Sequence, residues 1–157
     1  MMKLSCDVIR MLQGKTLVTA ESCTGGGIGA ALTSVSGSSA VYKGGIISYT
    51  NEIKEKMLGV DAALLRDAGA VSAQVAEAMA SGARKALKAD VAVSVTGLAG
   101  PGGDEYGNPV GTVYIGYSDA FHTFSKHYLF SGDREQVRNQ SIESALRIIL
   151  QEGEKGK

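Results

Sequence analysis

The 157-residue chain has no tryptophan, two cysteines, two prolines and two histidines. The scarcity of cysteine and histidine removes whole classes of chemistry. Cys6 and Cys23 form no CxxC pair and have no histidine at ligand spacing, so zinc is not expected. His122 and His127 stand five apart in a stretch that reads as a strand, which puts them on opposite faces and argues against a shared metal. No local pattern ties either histidine to a serine, so no Ser-His-Asp triad can be built. An excess of one charge is missing too. Lys+Arg and Asp+Glu number 16 each, so no global field draws nucleic acid or an acidic membrane surface. No apolar run approaches the roughly 20 residues that span a bilayer. Residues 1 to 7 show no signal-peptide core. The expectation is a cytoplasmic protein with both cysteines as thiols.

What the chain has in quantity is glycine, 21 residues, beside 44% hydrophobic and 20% charged residues. That composition suits one globular domain over 1–157, with 152–157 as a frayed tail. The periodicities predict a helix over 3–13, a strand at 16–20, a helix at 28–34 and a polar turn at 36–39. A strand at 44–49 leads into a helix over 52–58, with Asn51 as its N-cap. Asp61 and Ser72 cap two further helices, and Val91 to Val95 is a buried strand. Gly97 to Pro109 is a glycine-rich loop long enough to suggest function. Val110 to Tyr117 and Phe121 to Phe130 form a hairpin. Asp133 with Gln136 resembles a capping box before a last helix to Leu150. The order predicts an α/β fold: three layers, with a mixed parallel and antiparallel sheet between helices on both faces.

The stretch Ala20-Glu21-Ser22-Cys23-Thr24-Gly25-Gly26-Gly27 organises the rest. A strand that turns through glycines into a helix leaves N–H groups unpaired where the positive helix end favours negative charge. Ser22 would then sit beside an oxyanion site formed by N–H groups around Thr24, Gly25 and Gly26. The same glycines could serve only close βα packing. Gly25-x-Gly27-x-x-Ala30, with Glu52 downstream, also matches a dinucleotide fingerprint loosely.

If Ser22 is a nucleophile, its base is a lysine, as in Ser-Lys enzymes. Lys54, at N3 behind an Asn51 cap, would have its pKa lowered by the positive helix end and by burial, and a neutral amine can accept a proton. Glu52 and Glu55 would oppose this if close. The bland alternative is an exposed helix lysine. Tyr49 ends its strand and could donate a hydrogen bond or relay a proton, or only pack on the sheet. Arg134 and Arg138, one turn apart, could hold a phosphate or form a solvated face.

Taken together, the motifs resemble the CinA C-terminal domain family, whose stand-alone form is nicotinamide-nucleotide amidohydrolase. They are Ala20-Glu21-Ser22-Cys23-Thr24-Gly25-Gly26, Gly37-Ser38-Ser39-Ala40, Gly44-Gly45, Tyr49-Thr50-Asn51-Glu52-Ile53-Lys54, Gly69-Ala70-Val71-Ser72, Thr96-Gly97-Leu98-Ala99-Gly100-Pro101, Pro109-Val110-Gly111-Thr112-Val113 and Gly132-Asp133-Arg134, in family order over about 15–140. The resemblance implies hydrolysis of the carboxamide of nicotinamide mononucleotide, in pyridine-nucleotide salvage, by a Ser-Lys mechanism. Ser22 would be the nucleophile, Lys54 the base and Tyr49 a proton relay. It implies no metal or redox cofactor, a small nucleotide as the substrate, and a homodimer or larger assembly. Ser38, Ser39, Thr96, Gly97 and Arg134 become candidates for the phosphate end. Asn108 departs from a lysine frequent in the family, Thr50 from a serine, and Gly27 from a larger residue. A catalytically silent nucleotide-binding module is the competing reading.

Overall fold

The structure is a computed structural model describing residues 1–156. Along the chain run α1 (Met2–Met11), β1 (Leu17–Glu21), α2 (Gly27–Thr33), a 3-10 turn at Ser38–Ala40, β2 (Tyr42–Ile47) and α3 (Asn51–Leu58). Then come α4 (Ala62–Ala68), α5 (Ala73–Ala86), β3 (Val91–Gly97), β4 (Thr112–Ser118), β5 (Thr123–Leu129) and α6 (Arg134–Lys155). The five strands form one sheet in the order β2-β1-β3-β4-β5. β1 runs parallel to both β2 and β3, whereas β3, β4 and β5 are antiparallel. The expected mixed sheet with helices on both faces is what forms.

Alternation along the strands builds both faces. Leu17, Val91, Val93, Val95, Val113 and Ile115 share one core with α1, α2 and α6. Val18, Ala20 and Ala92 share the other with α3, α4 and α5. On that second face α5 lies very close to the sheet. Its Ala76, Ala80 and Ala83 are fully buried, and Ser94 Oγ donates to the Ala76 carbonyl at 2.6 Å. A Cβ at Gly116 would collide with that carbonyl oxygen and with Ser94 Oγ. Small residues on both sides thus set the spacing of this layer.

The parallel half decides where chemistry can occur. In register, Glu21 of β1 lies beside Ile47 of β2 and Val95 of β3. The carboxyl ends of the three strands therefore open on one edge, where α/β sheets place their ligands. Ser22, Tyr49 and Gly97 end those strands or follow directly.

Several boundaries differ from the sequence reading. The α3 cap is Thr50, whose hydroxyl accepts from the Ile53 N–H at 3.4 Å. Lys54 is therefore one position further into the helix than an Asn51 cap implies. Asp61, Ser72 and the Asp133–Gln136 capping box act as expected. The tail expected to fray from 152 is helical to Lys155. It is held because Gly153 lets α6 approach Met11 and Leu12; Lys157 lies outside the described residues. His122 belongs to the β4–β5 turn, where Asp119 Oδ1 accepts the N–H groups of Phe121 and His122. The two histidines do not share one strand.

Gly116→Ala tests the close α5 layer. Overpacking of this kind costs about 1–3 kcal/mol, so urea unfolding should show a lowered midpoint. An unchanged midpoint would mean that the layer yields without strain.

Candidate functional site

Ser22 stands at the end of a strand that is buried along its whole length, and its own N–H is fixed by the Val95 carbonyl at 3.0 Å. Its hydroxyl meets Lys54. The Lys54 Nζ lies 3.1 Å from Ser22 Oγ and 3.2 Å from the Tyr49 carbonyl oxygen. Ser22 Oγ itself is 3.5 Å from that carbonyl. The Lys54 side chain crosses the interior: the residue is 1% exposed. Burial pulls its amine down to about 8, and the nearby Cys23 opposes the shift. Glu52 and Glu55 lie on the exposed side of α3. An amine that titrates near 8 is neutral in about a tenth of molecules at pH 7 and in more as pH rises, and the neutral form can take a hydroxyl proton.

The neighbouring Cys23 is a poor nucleophile. Burial pushes its thiol up to about 11, so it stays protonated where a reactive cysteine would be a thiolate.

Beyond the pair opens a cleft of about 650 Å³. Ser22, Cys23, Tyr49, Asn51 and Lys54 line one side. The loop from Gly97 to Tyr106 and Arg134 line the other. Arg134 reaches in from the start of α6, donating to the Gly100 carbonyl at 2.8 Å and to the Tyr49 hydroxyl at 3.2 Å. Tyr49 therefore contributes twice. Its carbonyl holds Lys54, while its exposed ring and hydroxyl face Arg134 at the mouth. Thr96 lines the cleft, but its hydroxyl is committed to the Ala70 carbonyl at 2.8 Å.

Other expected residues are elsewhere. Ser38 and Ser39 precede β2, at the opposite end of the sheet from Ser22, and do not line this cleft. Thr24, Gly25 and Gly26 follow Ser22 in the chain but do not line the cleft. The Gly25 N–H is spent on the Ser22 carbonyl and the Gly27 N–H on the Thr24 carbonyl, both at 3.0 Å. The N-terminus of α2 is not an open anion site either. The Glu21 carboxylate, 2% exposed, accepts the N–H groups of Ile28 and Gly29 at 2.8 and 3.0 Å. A pyrophosphate would have to occupy the same place, which removes the dinucleotide reading. Among the described residues the N–H of Cys23 has no acceptor, and Cys23 does line the cleft. The N–H groups of Thr24 and Gly26 likewise have no acceptor, but neither residue lines the cleft.

Arg138 does not join Arg134. Its Nε donates to the Cys23 carbonyl at 3.0 Å and its Nη2 to the Thr24 carbonyl at 3.1 Å. Asn108 latches the loop: its amide donates to Asp104 Oδ2 at 2.7 Å and to the Val71 carbonyl at 3.3 Å. The sequence reading named Asn108 only as a departure and left the rest of the loop lining unassigned. A Gly-rich loop carries no periodicity from which side-chain direction can be read. Among the described residues no cluster of His, Cys, Asp and Glu is arranged to hold a metal. Among the described residues no helix is long and apolar enough to cross a membrane.

Comparison with known proteins covers nearly all of the chain. The family model described as the CinA C-terminal domain matches residues 2–152. The chain is 48% identical over 137 residues to nicotinamide-nucleotide amidohydrolase PncC of Pseudomonas putida, covering 87% of this chain and 86% of that protein. It is 49% identical over 134 residues to a CinA-like protein of Geobacter sulfurreducens, covering 85% of this chain but only 32% of the longer one. The chain thus spans about a third of the length of several curated relatives it matches. Among solved structures, a CinA superfamily protein from Klebsiella pneumoniae superposes with a TM-score of 0.95 at 33% identity, over 98% of each chain. The competence/damage-inducible protein of Agrobacterium tumefaciens gives 0.92 at 38%, over 95% of this chain and 93% of that one.

The buried amine has a stability consequence. In the folded chain it titrates near 8 rather than near 10.5, so below pH 8 both folded and unfolded lysine are charged and the folded state carries the full burial cost. Between these values the unfolded chain holds the extra proton, and stability rises with pH. Lys54→Met should therefore stabilise the protein near pH 7 by about 1–3 kcal/mol. The advantage should shrink as pH climbs past 8, read by denaturant unfolding at several pH values. A destabilised Lys54→Met at pH 7 would mean that the amine bonds outweigh the burial cost.

Proposed function

The chain belongs to the CinA C-terminal domain family, and from that premise we propose that it hydrolyses the carboxamide of nicotinamide mononucleotide to nicotinic acid mononucleotide and ammonia. The observation that carries this is the buried Lys54 Nζ at 3.1 Å from Ser22 Oγ, facing a cleft of nucleotide size. The likeness to the P. putida amidohydrolase supports the choice of substrate.

Neutral Lys54 takes the Ser22 proton as Ser22 Oγ attacks the carboxamide carbon. The Cys23 N–H faces the oxyanion of the tetrahedral intermediate. Protonated Lys54 then returns its proton to the departing nitrogen, and ammonia leaves. Water enters, Lys54 again accepts a proton, and the ester to Ser22 is hydrolysed. The Tyr49 carbonyl keeps the amine aimed at Ser22 through both halves. Arg134 is the guanidinium that lines the cleft, and it receives the phosphate at the mouth. With that product the enzyme serves pyridine-nucleotide salvage.

Ammonia release from nicotinamide mononucleotide tests this. Ser22→Ala and Lys54→Met should each lower kcat by about a thousandfold or more, since members of such a dyad act as a unit. In the wild type kcat/KM should rise with pH to a plateau, with a midpoint near 8, because only the neutral amine is a base. Binding without ammonia release in the wild type would favour the silent module. Near-native turnover in Ser22→Ala would remove the covalent route.

A further inference from the structure

We propose that Glu21 and Arg138 are positioning residues for Ser22, clamping residues 22–26 between a buried carboxylate and a guanidinium and leaving the Cys23 N–H free for a developing oxyanion. The proposal rests on Ser22 being the nucleophile.

The carboxylate half of the clamp is fully occupied. Glu21 Oε1 accepts from the Thr24 hydroxyl at 2.7 Å and from the Ile28 N–H at 2.8 Å. Oε2 accepts from the Gly29 N–H at 3.0 Å and from the Thr19 hydroxyl at 3.2 Å. Two oxygens thus meet four donors, the full capacity of a carboxylate. One backbone N–H of α2 faces each oxygen. An amide in the same place must turn its NH2 toward one of them, whichever way it flips.

The guanidinium half takes the acceptors. Arg138, on α6, spans two consecutive carbonyls of the turn, Cys23 at 3.0 Å and Thr24 at 3.1 Å. It does not line the cleft, so it acts on the turn and not on the substrate. A lysine would present one point charge where the planar fork matches two oxygens. The two halves fix successive peptide planes. The Ser22 carbonyl points to the Gly25 N–H, and a trans peptide then directs the Cys23 N–H the opposite way. With the Cys23 and Thr24 carbonyls held by Arg138, the plane on the far side of Cys23 is fixed as well. Neither group touches the reacting atoms; both set where Ser22 Oγ and its neighbouring donor stand.

Glu21→Gln, Arg138→Lys and Arg138→Ala are compared with wild type by two readouts. The first is ammonia release from nicotinamide mononucleotide, split into kcat and KM. The second is the rate at which phenylmethanesulfonyl fluoride sulfonylates Ser22, followed by intact mass. The expected result is a fall in kcat of about 10- to 100-fold in each variant with KM held within about threefold, since a small displacement of a reacting group costs this much. Sulfonylation should slow in parallel. Millimolar ethylguanidinium should restore a large part of the loss in Arg138→Ala and do nothing for Glu21→Gln. If the wild type releases no ammonia, the proposed reaction fails. The clamp is then judged on sulfonylation alone, where slowing supports it and wild-type rates overturn it. If Glu21→Gln does not fold, Arg138→Ala and its rescue decide. Rates within twofold of wild type in the Arg138 variants, no rescue, or a raised KM at unchanged kcat would each overturn the proposal.

Discussion

An amine kept out of water beside a hydroxyl is the constraint on which this structure depends. Lys54 is 1% exposed and lies 3.1 Å from Ser22. Burying a group that is charged in water is unfavourable unless partners or a lost proton compensate. Here the compensation is partial: two oxygen acceptors face the amine and its proton affinity is lowered. A site of this kind is poised between protonation states near neutrality, which is what a general base requires. The same burial works against the stability of the fold, so the surrounding layers must supply the difference.

The sheet explains how they do so. Three parallel strands bring Ser22, Tyr49 and Gly97 to one edge, and the rigid α5 layer beneath them leaves little freedom. α3 presents Lys54 inward because its other face, with Glu52 and Glu55, is exposed. α6 then reaches across the sheet, giving Arg134 to the cleft and Arg138 to the carbonyls of Cys23 and Thr24 in the turn after Ser22. One helix therefore supports the site on two sides. The loop that closes the cleft is fastened at separate points by Arg134, Asn108 and the Tyr106 hydroxyl, which donates to the Arg66 carbonyl at 2.8 Å.

Much of this is legible in the sequence, for identifiable reasons. Strand and helix periods give the layers, and polar residues ahead of apolar runs give the Asp61, Ser72 and Asp133 caps. Ser22 and Lys54 stand out because their residue types, set at a turn and in a first helical turn, suit one chemistry. What stays hidden is side-chain direction at long range. Nothing local to Glu21 says that its carboxylate turns back to fill the α2 N-terminus, so the turn reads as an empty anion site when it is a filled one. Arg138 reads as a partner of Arg134 because they are one turn apart, yet its carbonyl partners lie more than a hundred residues away in the chain. Ser38 and Ser39 match a motif, but topology takes them to the far end of β2. Thr50 wins the cap from Asn51 because helix starts are set by backbone geometry as well as residue preference.

The protonation state of Lys54 tests the account most directly. With lysine labelled at Cε and Nζ, the Lys54 resonance, assigned by its loss in Lys54→Met, can be followed by NMR through a pH titration. A midpoint near 8 in the wild-type protein is the predicted result. A midpoint near 10.5, the ordinary lysine value, would contradict it: the neutral amine would then be about 300-fold scarcer at pH 7, too rare to serve as the base for Ser22.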